Sequence, residues 1–534
     1  MRLDRRSFII SSVIAGSGLM LNPMKAMSMQ VKAADSLFGL HPFVQGNPDA
    51  VFIMKTSVDI KTNAEAMKAA GLSFGRSVLG LTNDTETGVP LSNKFTFKPN
   101  LTCRARWHEK YTLERSMGIV TDASFMEGII ESMKELGITG SQFYMREVNC
   151  ESDLEDGGYN AMAERTGIDL AVIETPYYDL TSEQIQWVDV PDGVYFKRIP
   201  YLWPVNSPDT WLMNVAKLKA HGMGLTLAAK NIQGTIAMNY QRHCNEYGDH
   251  LNIKAQDRHD DTFSNILNNY NRHAADGIPR WDKPGSSGGI WQETWASRCL
   301  DNNSVNKPGL HVIEGIYGRD GNFMDGPSAQ GLATDYMCNY IIFGLNSFYV
   351  DIIGHWIGGH EPGNFGLFHM AKERGMISHF NPSNIPLYEW DPDKGATLGN
   401  LQDFDRIPLK TYYLQKNYDG GNEDYWHLVN EAYDYTATSV PTNSISNLPF
   451  QLEENYPNPV KWKTTIPYKI NRPGHVLIEV INPHGMVVDV LVNRHEAAGS
   501  HMVTWQSMKH PAGLYLYRMR FEGASQVGRI LVYH

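Results

Sequence analysis

The chain of 534 residues contains little cysteine, with five positions only: Cys103, Cys150, Cys244, Cys299 and Cys338. No two of them form a Cys-x-x-Cys pair, the spacing typical of zinc ribbons and ferredoxin-type clusters. The sequence therefore argues against an iron–sulfur cluster, and buried free thiols are the expected state. It also lacks a Walker phosphate-binding loop and a Gly-x-Gly-x-x-Gly fingerprint placed between a strand and a helix. Nucleotide hydrolysis and hydride transfer on a bound dinucleotide both lose support.

Concentrated basic charge is missing as well. The chain has 47 Lys and Arg against 58 Asp and Glu, which gives a formal net charge of -11. Nucleic-acid binders concentrate lysine and arginine against the phosphates, so this scattered and acid-rich balance argues against a nucleic-acid partner. Apolar residues make up 42% of the chain, which is enough to bury large cores in several domains.

Long apolar runs are also absent. The apolar stretch from Phe8 to Leu21 is interrupted by serine and glycine and is too short for a good membrane span. It follows Arg5-Arg6, and a charged segment before an apolar one is typical of a signal peptide. We predict a signal peptide over residues 1–34 and no transmembrane segment in the mature protein. The Arg5-Arg6-x-Phe8 core resembles the twin-arginine signal, which is a receptor-read export address.

Strand-like and helix-like segments alternate between residues 36 and 435. Strands are predicted over residues 94–101, 142–148, 170–173, 225–231 and 311–314, and helices over residues 125–136, 160–166 and 211–221. This alternation favours an α/β domain over residues 36–435, with a mainly parallel sheet and flanking helices. A linker is predicted over residues 436–447.

Charged and polar residues follow the predicted strands of this domain. Sheets of this kind bind ligands at the carboxyl ends of their strands, so we expect these residues to meet at one rim. The expected rim residues are Lys98, Asn100, Arg104, Arg106, Glu147, Lys230, Asn231, Glu314, Asp325, Gly326 and Asp351. The alternative is that asparagine, aspartate and glycine stand there because turns need them.

Lysine and asparagine together suit an anionic or carbonyl-bearing ligand. In this hypothesis Lys98 and Lys230 hold the anionic group, and Asn100 and Asn231 orient it. The acid, base or metal ligand would come from the carboxylates, namely Glu147, Glu314, Asp325 or Asp351. Arg104 and Arg106 alternate on an extended segment, so both could bind a carboxylate or phosphate.

A second group consists of His355, His360, Glu361 and His369. Three imidazoles and a carboxylate so close in the chain could hold a divalent metal such as zinc, iron or nickel. The glycines between them would let the chain fold around an ion. The alternative is a glycine-rich surface loop with partly exposed histidines.

The rim residues also carry a family resemblance. The motifs are Lys98-Pro99-Asn100-Leu101, Val120-Thr121, Lys230-Asn231, Glu314-Gly315 and Asp325-Gly326-Pro327. With Asp351 in an apolar helix start and a glycine-terminated helix over residues 370–375, this set resembles the family called domain of unknown function 362 over about residues 51–375. Many members carry an appended ferredoxin-type domain, whose cysteine spacing this chain lacks. The resemblance therefore gives no ground for electron transfer.

The C-terminal residues 448–534 alternate apolar and polar positions between turns spaced about ten residues apart, as in a small immunoglobulin-like β-sandwich. The Tyr456-Pro457-Asn458-Pro459 entry, Gly513-Leu514-Tyr515 and a basic-apolar finish resemble the C-terminal sorting domain of type IX secretion substrates. Together with the twin-arginine-like signal, that resemblance implies contact with export machinery at both termini. It also implies passage through the periplasm to the medium or outer surface of a Gram-negative bacterium. The alternative is a generic immunoglobulin-like module.

Two functions remain open from the sequence. The first is a metal- or anion-assisted enzyme that acts on a small carboxylated or phosphorylated molecule at the rim. The second is a surface protein that binds a metal or a small anion without turnover.

Overall fold

The computed structural model describes residues 36–101, 117–148, 152–221, 224–238, 240, 261–281, 289–321, 333–411, 429–435, 450–453, 455–482, 487–521 and 524–533. The predicted signal peptide, the predicted linker and four predicted site residues lie outside this part of the chain. Those four residues are Arg104, Arg106, Asp325 and Gly326.

The strands in chain order are β1 (Leu37–Leu40), β2 (Val51–Lys55), β3 (Leu79–Thr82), β4 (Val89–Pro90), β5 (Lys94–Pro99), β6 (Phe143–Glu147), β7 (Asp169–Val172), β8 (Ile185–Asp189), β9 (Arg198–Leu202), β10 (Thr210–His221), β11 (Gly224–Leu225), β12 (Leu310–Arg319), β13 (Asp335–Gly344), β14 (Leu387–Asp391), β15 (Gly395–Leu398), β16 (Phe450–Leu452), β17 (Lys463–Ile470), β18 (Gly474–Ile481), β19 (Val487–Glu496), β20 (Gly499–Gln506), β21 (Gly513–Phe521) and β22 (Ala524–Val532). The helices are α1 (Pro42–Gln45), α2 (Ala64–Val78), α3 (Ala123–Lys134), α4 (Ser152–Asp156), α5 (Tyr159–Thr166), α6 (Ala228–Asn231), α7 (Thr262–Ala275), α8 (Gly289–Val305), α9 (Ser347–Ile357) and α10 (Gly366–Glu373). Among the described residues, no helix combines the length and the hydropathy that a membrane crossing needs.

One large sheet organises the N-terminal domain. Its strand order is β15-β14-β2-β13-β12-β10-β5-β6-β7, and β11 pairs with β10. The strands from β12 to β7 in this order run parallel to one another, whereas β13 is antiparallel to both of its neighbours. The α/β character agrees with the sequence prediction, but the sheet is mixed rather than mainly parallel.

The two faces of this sheet are covered by different apolar cores. Helices α2, α3 and α5 pack on one face, together with Phe97 of β5 and Val215 of β10. Helices α6, α8, α9 and α10 pack on the other face, together with Ala216 and Leu218 of β10. Because successive side chains of a strand point to opposite faces, the register of β10 decides which polar residues can meet.

The helix predicted over residues 211–221 is wrong, since this segment is the long central strand β10. From Leu212 onward every residue of β10 is buried, so polar and apolar residues do not alternate as they do in a half-buried strand. The strand predicted over residues 225–231 is also wrong in its second half, where the short helix α6 stands.

The predicted β structure of the C-terminal region is confirmed as two antiparallel sheets. One has the strand order β16-β17-β20 and the other has the order β19-β18-β21-β22. Phe450 and Tyr468 of the first sheet pack with Ile478 and Met519 of the second in one buried cluster. The two sheets therefore share an apolar core.

Three helices of the N-terminal domain are joined at His273 of α7. Its Nδ1 lies 2.7 Å from Glu293 Oε2 of α8, and its Nε2 lies 2.8 Å from Glu373 Oε2 of α10. Trp281 Nε1 donates to the same Glu293 oxygen at 2.7 Å. Burial alone would lower the pKa of His273, but the hydrogen bonds to the two carboxylates outweigh it and raise this pKa from 6.5 to about 9. The imidazolium is therefore the form that bridges the helices at neutral pH.

Candidate functional site

Lys98 and Glu147 form a buried ion pair at the ends of the neighbouring parallel strands β5 and β6. Lys98 Nζ lies 2.5 Å from Glu147 Oε2, and the two side chains are 1% and 4% exposed. Lys98 Nζ also donates to the carbonyl oxygen of Pro99 at 2.5 Å and to Asn231 Oδ1 at 3.3 Å. An ammonium group has three donors, so all of them are used within the protein.

The backbone fixes Glu147 from the other side. Its Oε1 accepts the N–H of Val148 at 2.9 Å, and its Oε2 accepts the N–H of Leu101 at 3.3 Å. Burial raises the pKa of Glu147 and lowers the pKa of Lys98, while the charge of each partner opposes the shift of the other. Burial thus favours the neutral forms of both groups, whereas the attraction between their charges favours the ionised pair.

Gly234 lies directly against this ion pair. A Cβ atom at this position would come within 2.0 Å of Glu147 Oε1 and 2.5 Å of Lys98 Cε. Its carbonyl oxygen also accepts the N–H of Val148 at 3.1 Å. The segment after α6 can approach the pair this closely only because residue 234 has no side chain.

A chain of amide side chains leads from the ion pair into the sheet. Asn231 Oδ1 accepts from Asn100 Nδ2 at 2.9 Å as well as from Lys98. Asn231 Nδ2 donates to the Lys98 carbonyl oxygen at 3.0 Å and to Asn214 Oδ1 at 2.8 Å. Asn214 Nδ2 in turn donates to the Ala228 carbonyl oxygen and lies 3.0 Å from His311 Nδ1. Asn100 and Asn231 therefore lie together beside Lys98, as the sequence predicted.

Among the described residues, Asn100 Oδ1 has no hydrogen-bond donor. This oxygen is buried, although the Asn100 residue as a whole is only half-buried. Leaving a buried acceptor unsatisfied costs about 1–3 kcal/mol, so this oxygen requires a donor beyond the described side chains.

Lys230 precedes Asn231 in α6 and is half-buried. Nowhere in the described ranges does a side chain or carbonyl group form a hydrogen bond or ion pair with its Nζ. The positive charge of Lys230 nevertheless acts on nearby groups. Burial is the main cause of the lowered pKa values of Lys98 and His221, and the charge of Lys230 lowers both pKa values further. Among the described residues of this group, Lys230 is thus the cation that has no ion pair.

Glu314 does not join this group, so the prediction that all of these residues meet at a single rim is wrong. It pairs with Lys217 of β10 at 2.6 Å, and both side chains are 0% exposed. Lys98 and Asn214 point to the sheet face covered by α6, whereas Lys217 and Glu314 point to the face covered by α3. Glu314 also accepts the N–H of Asp122 at the start of α3 at 3.3 Å. Burial raises the pKa of Glu314 to about 7, against the opposing effect of Lys217.

Asp351 has a structural contact instead of the predicted ligand-binding role. Its two carboxylate oxygens accept the N–H groups of Ala228 at 2.6 Å and Ala229 at 2.9 Å, the first residues of α6. Burial raises its pKa to about 8, against the effect of these two hydrogen bonds. Asp351 therefore fixes the helix that carries Lys230 and Asn231, and its own oxygens are occupied.

The predicted metal site is not assembled. In the described part of the chain, no three His, Cys, Asp or Glu side chains converge so that they could hold a metal ion. Three of the four predicted ligands contact backbone or side-chain groups instead: His360 Nε2 lies 2.6 Å from the Leu409 carbonyl oxygen, His369 Nε2 lies 2.8 Å from that of Gly363, and the Glu361 carboxylate accepts the Tyr435 hydroxyl.

His355 is a buried core residue rather than part of a surface loop. Its ring packs 4.6 Å from that of Phe365 and 4.9 Å from that of Phe368, and its Nδ1 lies 2.8 Å from the Asp351 carbonyl oxygen. Burial lowers the pKa of His355 to about 3 and that of His360 to about 4, so both are neutral at pH 7. The alternative of partly exposed histidines is therefore also wrong for these two, which are 1% and 2% exposed.

The sequence analysis missed Asn214, Lys217 and His311. The first two lie in the segment predicted to be a helix, and His311 was assigned only to a strand. A signal was present, because Lys217 and Lys219 stand two residues apart in an otherwise apolar run. That spacing puts both charges on one face of a strand, where a buried partner must exist.

Two surface cavities lie away from these residues. The first, of about 770 Å³, is lined by Ser182, Glu183, Ile185, Gln186, Trp187 and Trp203. The second, of about 350 Å³, is lined by Glu389, Asp391, Lys394, Thr397, Leu398, Gly399 and Asp403. Neither contains a predicted site residue, so the ion pair and its buried asparagines, rather than cavity size, define the candidate site.

Comparison with known families bears on the same region. Residues 97–355 match the family model described as Domain of unknown function (DUF362). This match supports the DUF362 family. The DUF362 segment includes Lys98, Glu147, Lys230 and Asn231, and also Glu314 and Asp351 on the surrounding elements. No curated protein matches the chain.

Two solved structures are similar to parts of this chain. Dimeric latent PorU from Porphyromonas gingivalis is 22% identical over 16% of this chain and 9% of that chain, with a TM-score of 0.14. The endo-beta-1,4-mannanase from Thermotoga petrophila is 10% identical over 91% of this chain and 98% of that chain, also with a TM-score of 0.14. Both TM-scores are too low to support a conclusion about the fold or the activity.

Proposed function

We propose that this protein is an enzyme that binds a small carboxylated or phosphorylated anion at Lys230 and moves a proton with the Lys98–Glu147 pair. The observation that carries the proposal is the buried ion pair itself, 2.5 Å across and held at the carboxyl ends of parallel strands. Ligands of α/β proteins bind at this edge of the sheet.

The anionic character of the ligand follows from the local charges. Lys98 is neutralised by Glu147, and Lys217 is neutralised by Glu314. Lys230 has no such partner among the described residues, and it increases the positive potential around Lys98 and His221. A carboxylate or phosphate group would complete the balance of charge, since such groups bind lysine as a point charge.

The catalytic part follows from the opposed pKa shifts of the pair. A general acid or base works best when its pKa lies near the working pH. Burial moves the pKa of Glu147 upward and that of Lys98 downward, which brings both toward that range. In this proposal Glu147 exchanges a proton with the bound ligand, Lys98 stabilises the resulting charge, and Asn231 keeps Lys98 in place.

Binding and turnover can be tested on the same variants. We expect isothermal titration calorimetry to detect binding of phosphate or of small dicarboxylates such as succinate. Lys230→Gln should weaken this binding about tenfold or more, because one ion pair to a partly buried charge is lost. Lys372→Gln is the matched control, since Lys372 is also half-buried and makes no ion pair with a described residue. Equal affinity of wild type and Lys230→Gln would refute the assignment of Lys230.

Proton transfer has a separate readout. In D₂O, an enzyme that removes a carbon-bound proton incorporates deuterium into the ligand, which proton NMR detects as loss of signal. We expect this exchange in the wild type and at least a hundredfold slower exchange in Glu147→Gln.

One observation favours the second candidate, a binding protein without turnover. All three donors of Lys98 and both oxygens of Glu147 are engaged within the protein. If anions bind but no ligand tested exchanges deuterium, the pair has a supporting role and the protein is a carrier or receptor for a small anion.

We also propose that the protein is exported, with a twin-arginine-like signal peptide over residues 1–34 and an immunoglobulin-like sorting domain over residues 448–534. Support comes from Arg5-Arg6-x-Phe8 in the sequence and from the two C-terminal antiparallel sheets, which share a core. A reporter fused to residues 448–534 should reach the medium or the outer surface of a Gram-negative host with type IX export. Retention in the periplasm would refute the sorting role.

A further inference from the structure

Two exposed histidines lie directly opposite each other in the C-terminal sheets. His475 of β18 pairs with His495 of β19 in the antiparallel ladder, and the register is regular here, since its irregularities come only after Ile478. Both histidines are exposed. Their imidazole rings are inclined at 73° to each other, with 5.8 Å between the ring centroids. The sheet therefore holds two potential metal ligands side by side.

Both rings lie on the outer face of this sheet. Val476 and Val492 point into the apolar core that the two sheets share. Successive side chains of a strand point to opposite faces, so His475 and His495, which are one and three positions away from these valines, point outward. Strand β19 is the outermost strand of its sheet, so water reaches the site from the side as well.

The ring nitrogens of this pair are accessible to a ligand. Across the described ranges, no side chain or carbonyl group forms a hydrogen bond or ion pair with either ring. His355 and His360 have a similar spacing, 6.0 Å between centroids, but both are buried and each lies against a backbone carbonyl oxygen. Spacing alone does not make a metal site, and the pair of His475 and His495 combines spacing with access.

The spacing of the pair suits one shared metal ion. In a tetrahedral site with Zn–N bonds of about 2.0–2.1 Å, the centroids of two imidazole ligands lie about 5 Å apart. Small rotations of exposed side chains bring the rings from 5.8 Å to this value. Imidazole nitrogen suits zinc, copper and nickel, whereas magnesium and calcium prefer oxygen ligands. The ligand type therefore selects a divalent transition metal.

The arginines close to this pair have carboxylate partners. Arg520 lies on the outer face of the next strand, β21, and its Nη1 donates to Glu86 Oε2 at 2.7 Å. Arg494 lies on the other side of β19, and its Nε donates to Glu496 Oε1 at 3.0 Å. Because each guanidinium group is paired, its repulsion of a divalent cation at the histidines is reduced.

We propose that His475 and His495 form a two-histidine site for a divalent transition metal, namely copper, nickel or zinc, with water in the remaining coordination positions. This site is separate from the anion site of the proposed function and does not depend on it. A bound ion ties the edge strand β19 to β18 through two coordinate bonds. Copper should bind more tightly than nickel or zinc, in accordance with the usual order of affinities at nitrogen ligands.

Metal titration of the full chain tests the site. We expect isothermal titration calorimetry with Ni²⁺ to show a binding event that is weakened about tenfold or more by His475→Gln and equally by His495→Gln, because a single imidazole loses the advantage of chelation. His501→Gln is the matched control and should bind Ni²⁺ as the wild type does, since His501 lies on the other sheet and its Nε2 is 2.8 Å from the Ala497 carbonyl oxygen.

Copper spectroscopy counts the ligands directly. Electron paramagnetic resonance of the wild type with one equivalent of Cu²⁺ should show coupling to two nitrogen ligands, and each single variant should lose one of them. Urea unfolding in the presence of EDTA should give the same midpoint for the wild type and both variants, because exposed side chains contribute little to stability. That comparison separates a lost ligand from a damaged fold.

Several results would overturn the proposal. If both variants bind Ni²⁺ as tightly as the wild type does, the metal is held elsewhere in the chain. If only one of the two substitutions weakens binding, the rings do not share an ion. If the wild type binds Mg²⁺ as tightly as Ni²⁺, or binds neither ion, the pair is not a transition-metal site.

Discussion

Replacing Glu147 by alanine is expected to destabilise the N-terminal domain by about 3–5 kcal/mol, because it leaves the ammonium of Lys98 buried without its countercharge. Lys98 is 1% exposed and cannot turn outward to water without displacing the chain around Gly234. Urea unfolding followed by tryptophan fluorescence measures the loss. A loss of about 3–5 kcal/mol is a large share of the free energy of unfolding of a typical domain, so cells should accumulate less of the Glu147→Ala variant.

Two comparisons show whether burial causes this effect. Glu389→Ala breaks the exposed pair of Lys55 and Glu389, which is 2.8 Å long, and should cost less than about 1 kcal/mol. The double variant Lys98→Met, Glu147→Leu removes both charges and should recover much of the loss of Glu147→Ala. If Glu147→Ala cost no more than Glu389→Ala, Lys98 would be neutral or solvated in the folded protein, and the buried ion pair would be refuted.

The second large effect is a loss of stability as the pH rises. The pKa of His273 is about 9 in the folded protein and 6.5 when unfolded, so the imidazolium stabilises the fold fully below pH 6.5. This contribution is lost as the pH rises from 6.5 through 9. Each pKa unit corresponds to about 1.4 kcal/mol. Because Glu373 is half-exposed and therefore screened, we expect a total loss of about 2 kcal/mol over this window.

Unfolding midpoints in urea at several pH values between 6 and 9.5 measure this loss. His273→Gln cannot carry the charge, so its midpoint should lie below that of the wild type at pH 6 and approach it at pH 9.5. His475→Gln replaces an exposed histidine of the C-terminal sheets and should leave the wild-type pH dependence unchanged. Parallel pH profiles for wild type and His273→Gln would show that the histidine is not charged between its two glutamates.

The strands from β5 to β7 could be predicted from the sequence, but the long strand β10 beside them could not, and the strands β2, β13, β14 and β15 were not predicted either. The strands β5 and β6 and the helix α3 have clear local signals: alternation, apolar helical spacing and a glycine that ends the helix. Strand β10 lacks such alternation, since it is buried on both sides and its polar residues are paired by distant partners. Its one local signal is the spacing of Lys217 and Lys219. Only the tertiary structure shows that Lys217 meets Glu314.

The same limit applies to the candidate site. Lys98, Asn100 and Glu147 could be brought together from the sequence, because they lie at or just after the ends of neighbouring strands and strand ends converge. Asn231 was grouped with them on a predicted strand that is helix α6 in the structure. Glu314 also follows a strand, but side-chain alternation sends it to the opposite face, and a shift of one residue in the predicted register changes that outcome. The predicted metal site is wrong for a different reason. His355 lies on helix α9 and packs against Phe365, so imidazoles that are close in sequence do not point to one position in space.

The amide chain from His311 to Asn100 has a directional consequence. Burial lowers the pKa of His311 to about 3, so its ring is neutral and its Nδ1 is the acceptor that faces Asn214. Each amide along the chain can satisfy its neighbour in one orientation only. Because Asn214 and Asn231 also donate to the carbonyl oxygens of Ala228 and Lys98, the chain donates in a single direction, from Asn100 Nδ2 through Asn231 and Asn214 to the ring of His311.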